Sequence, residues 1–174
     1  MNKYDKAMMK TAYIWAEESY CKRRQVGSVL AKDDRIISIG YNGTVSNDKN
    51  ICEDYKLTCP NCGKETELPY PDAIRVICGC GRIHDYTHEY LEKNKAEFFK
   101  SKETVVHAEQ NALMFAAKNG IATQGATLYT TTAPCVNCAK LAIQAGITKV
   151  VYDTTYKNTD GIDLLEKHML VIKL

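Results

Sequence analysis

An α/β fold is predicted for this chain of 174 residues by two patterns: a pair of short β-branched runs near the N-terminus, and a C-terminal half in which helix-period and strand-period segments alternate. The length suits one domain of ordinary size. With 45% hydrophobic and 25% charged residues, the composition is that of an average globular protein and excludes disorder for the chain as a whole.

Tyr4, Met8, Ala12 and Trp15 recur at helical spacing and predict an amphipathic helix ending near Ser19 or Tyr20. Residues 26–30 and 36–39, separated by Ala-Lys-Asp-Asp-Arg, read as a hairpin leading into Gly-Tyr-Asn-Gly at 40–43. Over 44–106 the apolar periodicity weakens, for longer than a bare loop allows, so the segment needs something to hold it together. Residues 107–119 read as a helix with Ala108, Ala112, Phe115 and Ala116 on one face and Gly120 as its stop. A strand follows at 126–131, and Pro134 sits where a helix can start. That helix is placed at 135–145 with Gly146 ending it, followed by a strand at 149–152, a short helix at 160–167 and a last strand at 169–172.

No apolar run approaches the roughly 18 residues that span a bilayer, and the opening MNKYDKAMMK lacks a secretory apolar region. The expectation is a soluble cytoplasmic protein with no membrane partner. Lys and Arg total 23 against 21 Asp and Glu, a net charge of +2, which attracts polymeric nucleic acid weakly and suits a small ligand better. The eight cysteines stay reduced in that compartment, and clustered reduced thiols bind metal or do chemistry.

The chemistry concentrates in His107-Ala108-Glu109 and Pro134-Cys135-Val136-Asn137-Cys138. His107, Cys135 and Cys138 make a three-ligand set for a catalytic zinc, whose fourth position is left for water. Cys135 and Cys138 share one face of the first turn of their helix, where the macrodipole favours thiolates. Zinc acidifies such a water, and a carboxylate that is not a ligand can carry its proton to the substrate, the role in which Glu109 is placed. H-x-E with P-C-x-x-C is the known signature of zinc nucleobase deaminases, and both halves match without a gap.

Cys59-Pro-Asn-Cys62-Gly and Cys78-Gly-Cys80-Gly lie in the long middle segment. Together they can close a four-sulfur structural zinc site, a ribbon-like insertion at about 52–90 within a single domain of 1–174. Cys21 and Cys52 remain, with core packing as their default role. Were the hairpin to bring them together, a further zinc with one or both of His84 and His88 would become available.

RRQVGSVLAKDDRIISIGYNG, VVHAEQNALMFAAKNG and GATLYTTTAPCVNCAKLAIQAGITKVVY, with the following TTY, resemble the deoxycytidylate deaminase family of the cytidine deaminase-like fold. The resemblance covers most of the chain outside 44–104. It implies a three-layer α/β/α architecture around a mixed five-stranded sheet, and hydrolysis of dCMP to dUMP and ammonia, which supplies thymidylate synthesis. It also implies a homo-oligomer, a hexamer in many members, activated by dCTP and inhibited by dTTP, with Mg2+ accompanying the effector nucleotide. By the same resemblance Asn42 contacts the deoxyribose, and Ala108, Thr131 and Pro134 are among the substrate-binding residues. The Arg23-Arg24-Gln25 run and Tyr156-Lys157 lie near the phosphate, and Gly40, Tyr41, Asn42 and Gly43 belong to the effector site. Two competing readings are a tRNA adenosine deaminase, which shares both motifs but needs a basic surface, and a zinc-stabilised binding module built on the four-cysteine unit.

Overall fold

The computed structural model describes residues 3–67, 75–85, 93, 99–156 and 158–174. Helix α1 (Asp5–Ala16) is followed by β1 (Gly27–Lys32) and β2 (Arg35–Tyr41). This hairpin is tighter than the sequence pattern suggests: Ala31, Lys32 and Arg35 belong to the strands, and the turn is Asp33-Asp34 alone. Both turn residues have left-handed φ, +50° and +59°, the mirror-image turn whose twist matches that of the strands it joins.

After the middle segment come α2 (Ala108–Lys118), a strand at Thr127–Thr132, α3 (Val136–Gln144), a strand at Lys149–Thr154, α4 (Asp160–Glu166) and a strand at Leu170–Lys173. Four short strands among the described residues of the insertion take the numbers β3 (Glu53–Thr58), β4 (Glu65–Glu67), β5 (Arg75–Ile77) and β6 (Ile83–Asp85), and β7 (Phe99–Ser101) closes it. The last three strands of the chain are therefore β8, β9 and β10. The five-stranded sheet has the order β10-β9-β8-β1-β2. β1 is antiparallel to both β2 and β8, while β8, β9 and β10 run parallel, with α3 and α4 as the crossovers.

The strand pleat assigns the two faces. Val29, Ala31, Tyr129 and Val151 pack with Met8, Met9 and Ala12 of α1 on one side. Leu30, Leu128, Val150 and Tyr152 meet Ala112, Leu113, Ala116, Ala139, Ala142, Ile162 and Leu165 of α2, α3 and α4 on the other. The expected three layers around a mixed sheet are present. Helix α1 is pinned by Asp5, fully buried, whose carboxylate accepts hydrogen bonds from Lys149 Nζ at 2.8 Å and Tyr129 OH at 2.9 Å.

One helix boundary is corrected. Helix α1 stops at Ala16 and not near Ser19 or Tyr20, because Ser19 Oγ donates to the carbonyl and the side-chain oxygen of Asn42 and its chain turns away to do so. After the insertion, residues 99–101 pair with 53–55.

Glycine sets how closely the helices approach the sheet. A Cβ on Gly40 would lie 2.3 Å from the carbonyl oxygen of Ala108 and 2.5 Å from the nitrogen of Ala112, so the first turns of α2 sit on bare β2 backbone. Gly40→Ala is expected to lower the unfolding free energy by about 1–3 kcal/mol, read as a shift of the urea midpoint; an unchanged midpoint would mean that α2 does not bear on this position.

Candidate active site

His107 and Cys135 are the N-cap residues of α2 and α3, both with extended backbone (φ −73°, ψ 156° and φ −72°, ψ 169°). The His107 backbone N–H is held by Gln110 Oε1 at 2.9 Å. Cys138, one turn into α3, is buried. His107 Nδ1 lies 3.3 Å from Cys138 Sγ and 3.6 Å from Cys135 Sγ, and the three atoms fall within 4.8 Å of one another. A tetrahedron with Zn–S of about 2.3 Å and Zn–N of about 2.0 Å has an N···S edge of about 3.5 Å. The donor set therefore fits zinc in both chemistry and spacing. Two helix N-termini converge on it, which favours a thiolate at Cys135.

The Cys135 thiol is pulled down to about 3, first by the hydrogen bond with the Cys138 thiol and then by the His107 ring. Its partner Cys138 is pushed far up by that same bond and by burial. His107 is raised, chiefly by its hydrogen bond with Cys135. Glu109, two residues along α2, is 4% exposed, and burial pushes its carboxyl up to about 6. A carboxyl in that range can both take and return a proton near neutral pH.

In front of the cluster lies a cleft of about 200 Å³. Its walls include Asn42, Ala108, Thr132 and Ala133, with Arg23, Arg24, Ser101, Lys102 and Tyr156 also lining it. The Arg24 guanidinium stands over the Tyr156 ring at 6.0 Å, and Arg23 Nη1 reaches Ser101 Oγ at 3.5 Å. Asn42 organises the rim. Its Oδ1 accepts from Ser19 Oγ at 2.8 Å and from the Val26 N–H at 2.8 Å, and its Nδ2 donates to the Arg24 carbonyl at 2.9 Å.

Gln25 is outside the cleft wall and donates through Nε2 to the Ser19 carbonyl at 2.7 Å. Thr132 lines the cleft, while the pleat turns residue 131 to the α1 side, where its hydroxyl accepts from the Gly27 N–H at 3.2 Å. Ala133 lines the wall beside Pro134, and the Pro134 carbonyl packs where a Cβ on Gly161 would come within 2.1 Å, fixing α4 against the start of α3. Tyr41 stacks on Trp15 with centroids 6.3 Å apart, and Gly43 bridges to Val106. Lys157 and His88 lie outside the described residues. Ser101, Lys102, Thr132 and Ala133 went unnoticed in the sequence; Ser101 and Lys102 carry no motif and reach the cleft only because β7 pairs with β3.

Cys59, Cys62, Cys78 and Cys80 come together within 4.8 Å. Cys21 and Cys52 are buried and hydrogen-bonded to each other. Among the described residues no third His, Cys, Asp or Glu joins that pair, and His88, one of the two histidines expected there, lies outside them. His84 stands instead at Cys59, with Nε2 3.2 Å from Sγ, because the β5–β6 hairpin carries it to the other cluster.

A His/Cys/Cys set at two helix N-termini, with a buried carboxylate alongside on a mixed α/β/α sheet, defines a zinc-dependent hydrolytic deaminase. The family described as the cytidine and deoxycytidylate deaminase zinc-binding region matches residues 2–154. Deoxycytidylate deaminase of Enterobacteria phage T4 is 37% identical over 157 residues, covering 90% of this chain and 81% of that protein. Deoxycytidylate deaminase of Saccharomyces cerevisiae is 31% identical over 156 residues, 88% of this chain and 38% of that protein. The crystal structure of dCMP deaminase from cyanophage S-TIM5 in complex with dCMP and dUMP superposes with a TM-score of 0.71 at 31% identity, covering 100% of this chain and 99% of that one. The chain belongs to the cytidine and deoxycytidylate deaminase family.

Burial, followed by the hydrogen bond with Cys52, pushes the Cys21 thiol well above its ordinary range, and burial raises Cys52 as well. Both raised values favour the neutral thiol, so little thiolate forms at moderately alkaline pH. Native protein treated with iodoacetamide at about pH 8 is expected to leave Cys21 and Cys52 unmodified, and both are expected to react on unfolding. Peptide mapping checks this, and native-state alkylation at either position would contradict the placement.

Proposed function

We propose that this chain is a dCMP deaminase, hydrolysing dCMP to dUMP and ammonia. The observation that carries the reading is the pairing, in one cleft, of the His107/Cys135/Cys138 and Glu109 constellation with Arg23, Arg24 and Lys102. A nucleoside monophosphate presents an anion to such cations, whereas a free nucleoside gives them nothing to bind. A zinc ion held by His107, Cys135 and Cys138 supplies Lewis-acid activation of the attacking water.

Glu109 accepts a proton from that water and passes it to N3 of the cytosine, which makes C4 the electrophile. It then takes the remaining hydroxyl proton and delivers it to the departing amine, so that ammonia leaves and Glu109 is returned to its starting state. Its enclosure by the first turn of α2 keeps bulk water from intercepting the proton. Asn42, its side chain already committed to Ser19, Val26 and Arg24, retains one amide hydrogen for the deoxyribose. Arg24, Tyr156 and, by their position on the same wall, Arg23, Ser101 and Lys102 take the phosphate.

The proposal extends to a homo-oligomer, hexameric as in the family, and to dCTP and dTTP as effectors with Mg2+ at residues 40–43. Exposed Met114 and Phe115 on α2, 51% and 52% accessible, support self-association. Among the described residues no helix is long and apolar enough to cross a membrane, and a cytoplasmic location is part of the same reading. The net charge of +2 weighs against tRNA as substrate.

Two substitutions test the assignment. Glu109→Gln is expected to leave zinc bound and to lower turnover of dCMP by about 10²–10⁴-fold; near-normal turnover would remove Glu109 from the proton path. Arg24→Ala is expected to raise KM for dCMP by about tenfold or more and to leave the slow turnover of deoxycytidine unchanged. Equal losses on both substrates would place the phosphate elsewhere.

A further inference from the structure

Two turns at the tip of the insertion are built on one plan. In the first, the Cys59 N–H donates to the Lys64 carbonyl at 2.9 Å and the Gly63 N–H to the Cys59 carbonyl at 2.8 Å. In the second, the Cys78 N–H donates to the Arg82 carbonyl at 2.8 Å and the Gly81 N–H to the Cys78 carbonyl at 2.8 Å. Each bond in the second turn spans one residue fewer, which is why it carries Cys-x-Cys where the first carries Cys-x-x-Cys. Gly63 and Gly81 have φ of +68° and +85°, a conformation that glycine adopts without strain. Backbone N–H groups point at the sulfurs: Asn61 and Cys62 at Cys59, Lys64 at Cys62, Arg82 at Cys80.

The sulfurs face one another across the two turns, Cys62 to Cys78 at 3.5 Å and Cys59 to Cys80 at 3.9 Å, and all four cysteines are free thiols. A tetrahedral ZnS4 centre with bonds of about 2.3 Å has S···S edges of about 3.8 Å, whereas a disulfide would need about 2.05 Å. We propose that Cys59, Cys62, Cys78 and Cys80 bind a second, structural zinc ion, and that His84 serves this centre from outside its ligand set, donating Nε2–H to Cys59 Sγ. The four sulfurs fill the tetrahedron, so His84 is left to orient a ligand and to offset its charge.

The site has a mechanical consequence for the cleft. Strand β3 runs from the first turn back to Glu53, whose Oε1 accepts from the Arg23 N–H at 3.1 Å, and it pairs with β7, which ends at Ser101. The Lys102 N–H closes the base of the insertion on the Cys52 carbonyl at 2.9 Å. A metal held by the two turns therefore anchors the far end of β3, the strand on which β7 pairs to place Ser101 and Lys102.

Zinc per chain, measured on the full-length protein purified under reducing conditions, tests the proposal. The wild type is expected to hold two ions, Cys78→Ser/Cys80→Ser one, and His107→Ala/Cys135→Ala/Cys138→Ala also one. Loaded with cobalt(II), the last variant is expected to show the intense charge-transfer and d–d absorption of a tetrathiolate centre. One ion in the wild type, or none in the His107/Cys135/Cys138 triple variant, overturns the assignment, and the triple variant decides alone if the Cys78/Cys80 variant does not fold. His84→Ala is expected to keep both ions and to bind the second about 10–100-fold more weakly; complete loss of that ion at saturating zinc would make His84 a ligand and overturn its outer role.

Discussion

The convergence of two helix N-termini beyond the end of β8 is the constraint from which the site follows. α2 and α3 bring His107 and Cys135 as N-caps and Cys138 one turn in, and the unpaired N–H groups of both first turns give this point a positive potential. Such a field suits thiolates, and it suits a carboxylate that shuttles between its two protonation states. Steric room makes it possible, since α2 can lie on β2 only because residue 40 has no side chain, and α4 can back the start of α3 only because residue 161 has none.

The segment between α1 and β1 is the second organising element, and it answers to Asn42. One amide bonds Ser19, Val26 and Arg24 together, so the residue expected to touch the sugar also shapes the wall that carries Arg23 and Arg24. Replacing it would alter recognition and loop geometry together. Asp5, Tyr129 and Lys149 do comparable work on the opposite face, where a fully buried carboxylate is tolerated because a cation and a hydroxyl satisfy it.

The described strands of the insertion are short. What it contributes is reach. By folding out from Cys52 and back to Lys102 it sets Ser101 and Lys102 beside Arg23 on a wall that the five-stranded sheet alone would not complete.

By itself the sequence determined the parts governed by short-range rules. The helix and strand periods, the caps at His107 and Cys135, the glycine stops at 120 and 146 and the paired metal motifs all depend on residues within a turn or two of one another, and the same locality made the four-cysteine unit legible. Tertiary structure decided whatever depended on chain segments far apart. The pleat of β8, set by its pairing, chose Thr132 over Thr131 for the cleft, and the β3–β7 pairing delivered Ser101 and Lys102. The β5–β6 hairpin gave His84 to Cys59 and left Cys21 and Cys52 as a buried pair without a third ligand among the described residues. No local spacing encodes these outcomes, because each is fixed by which strands pair and in what register.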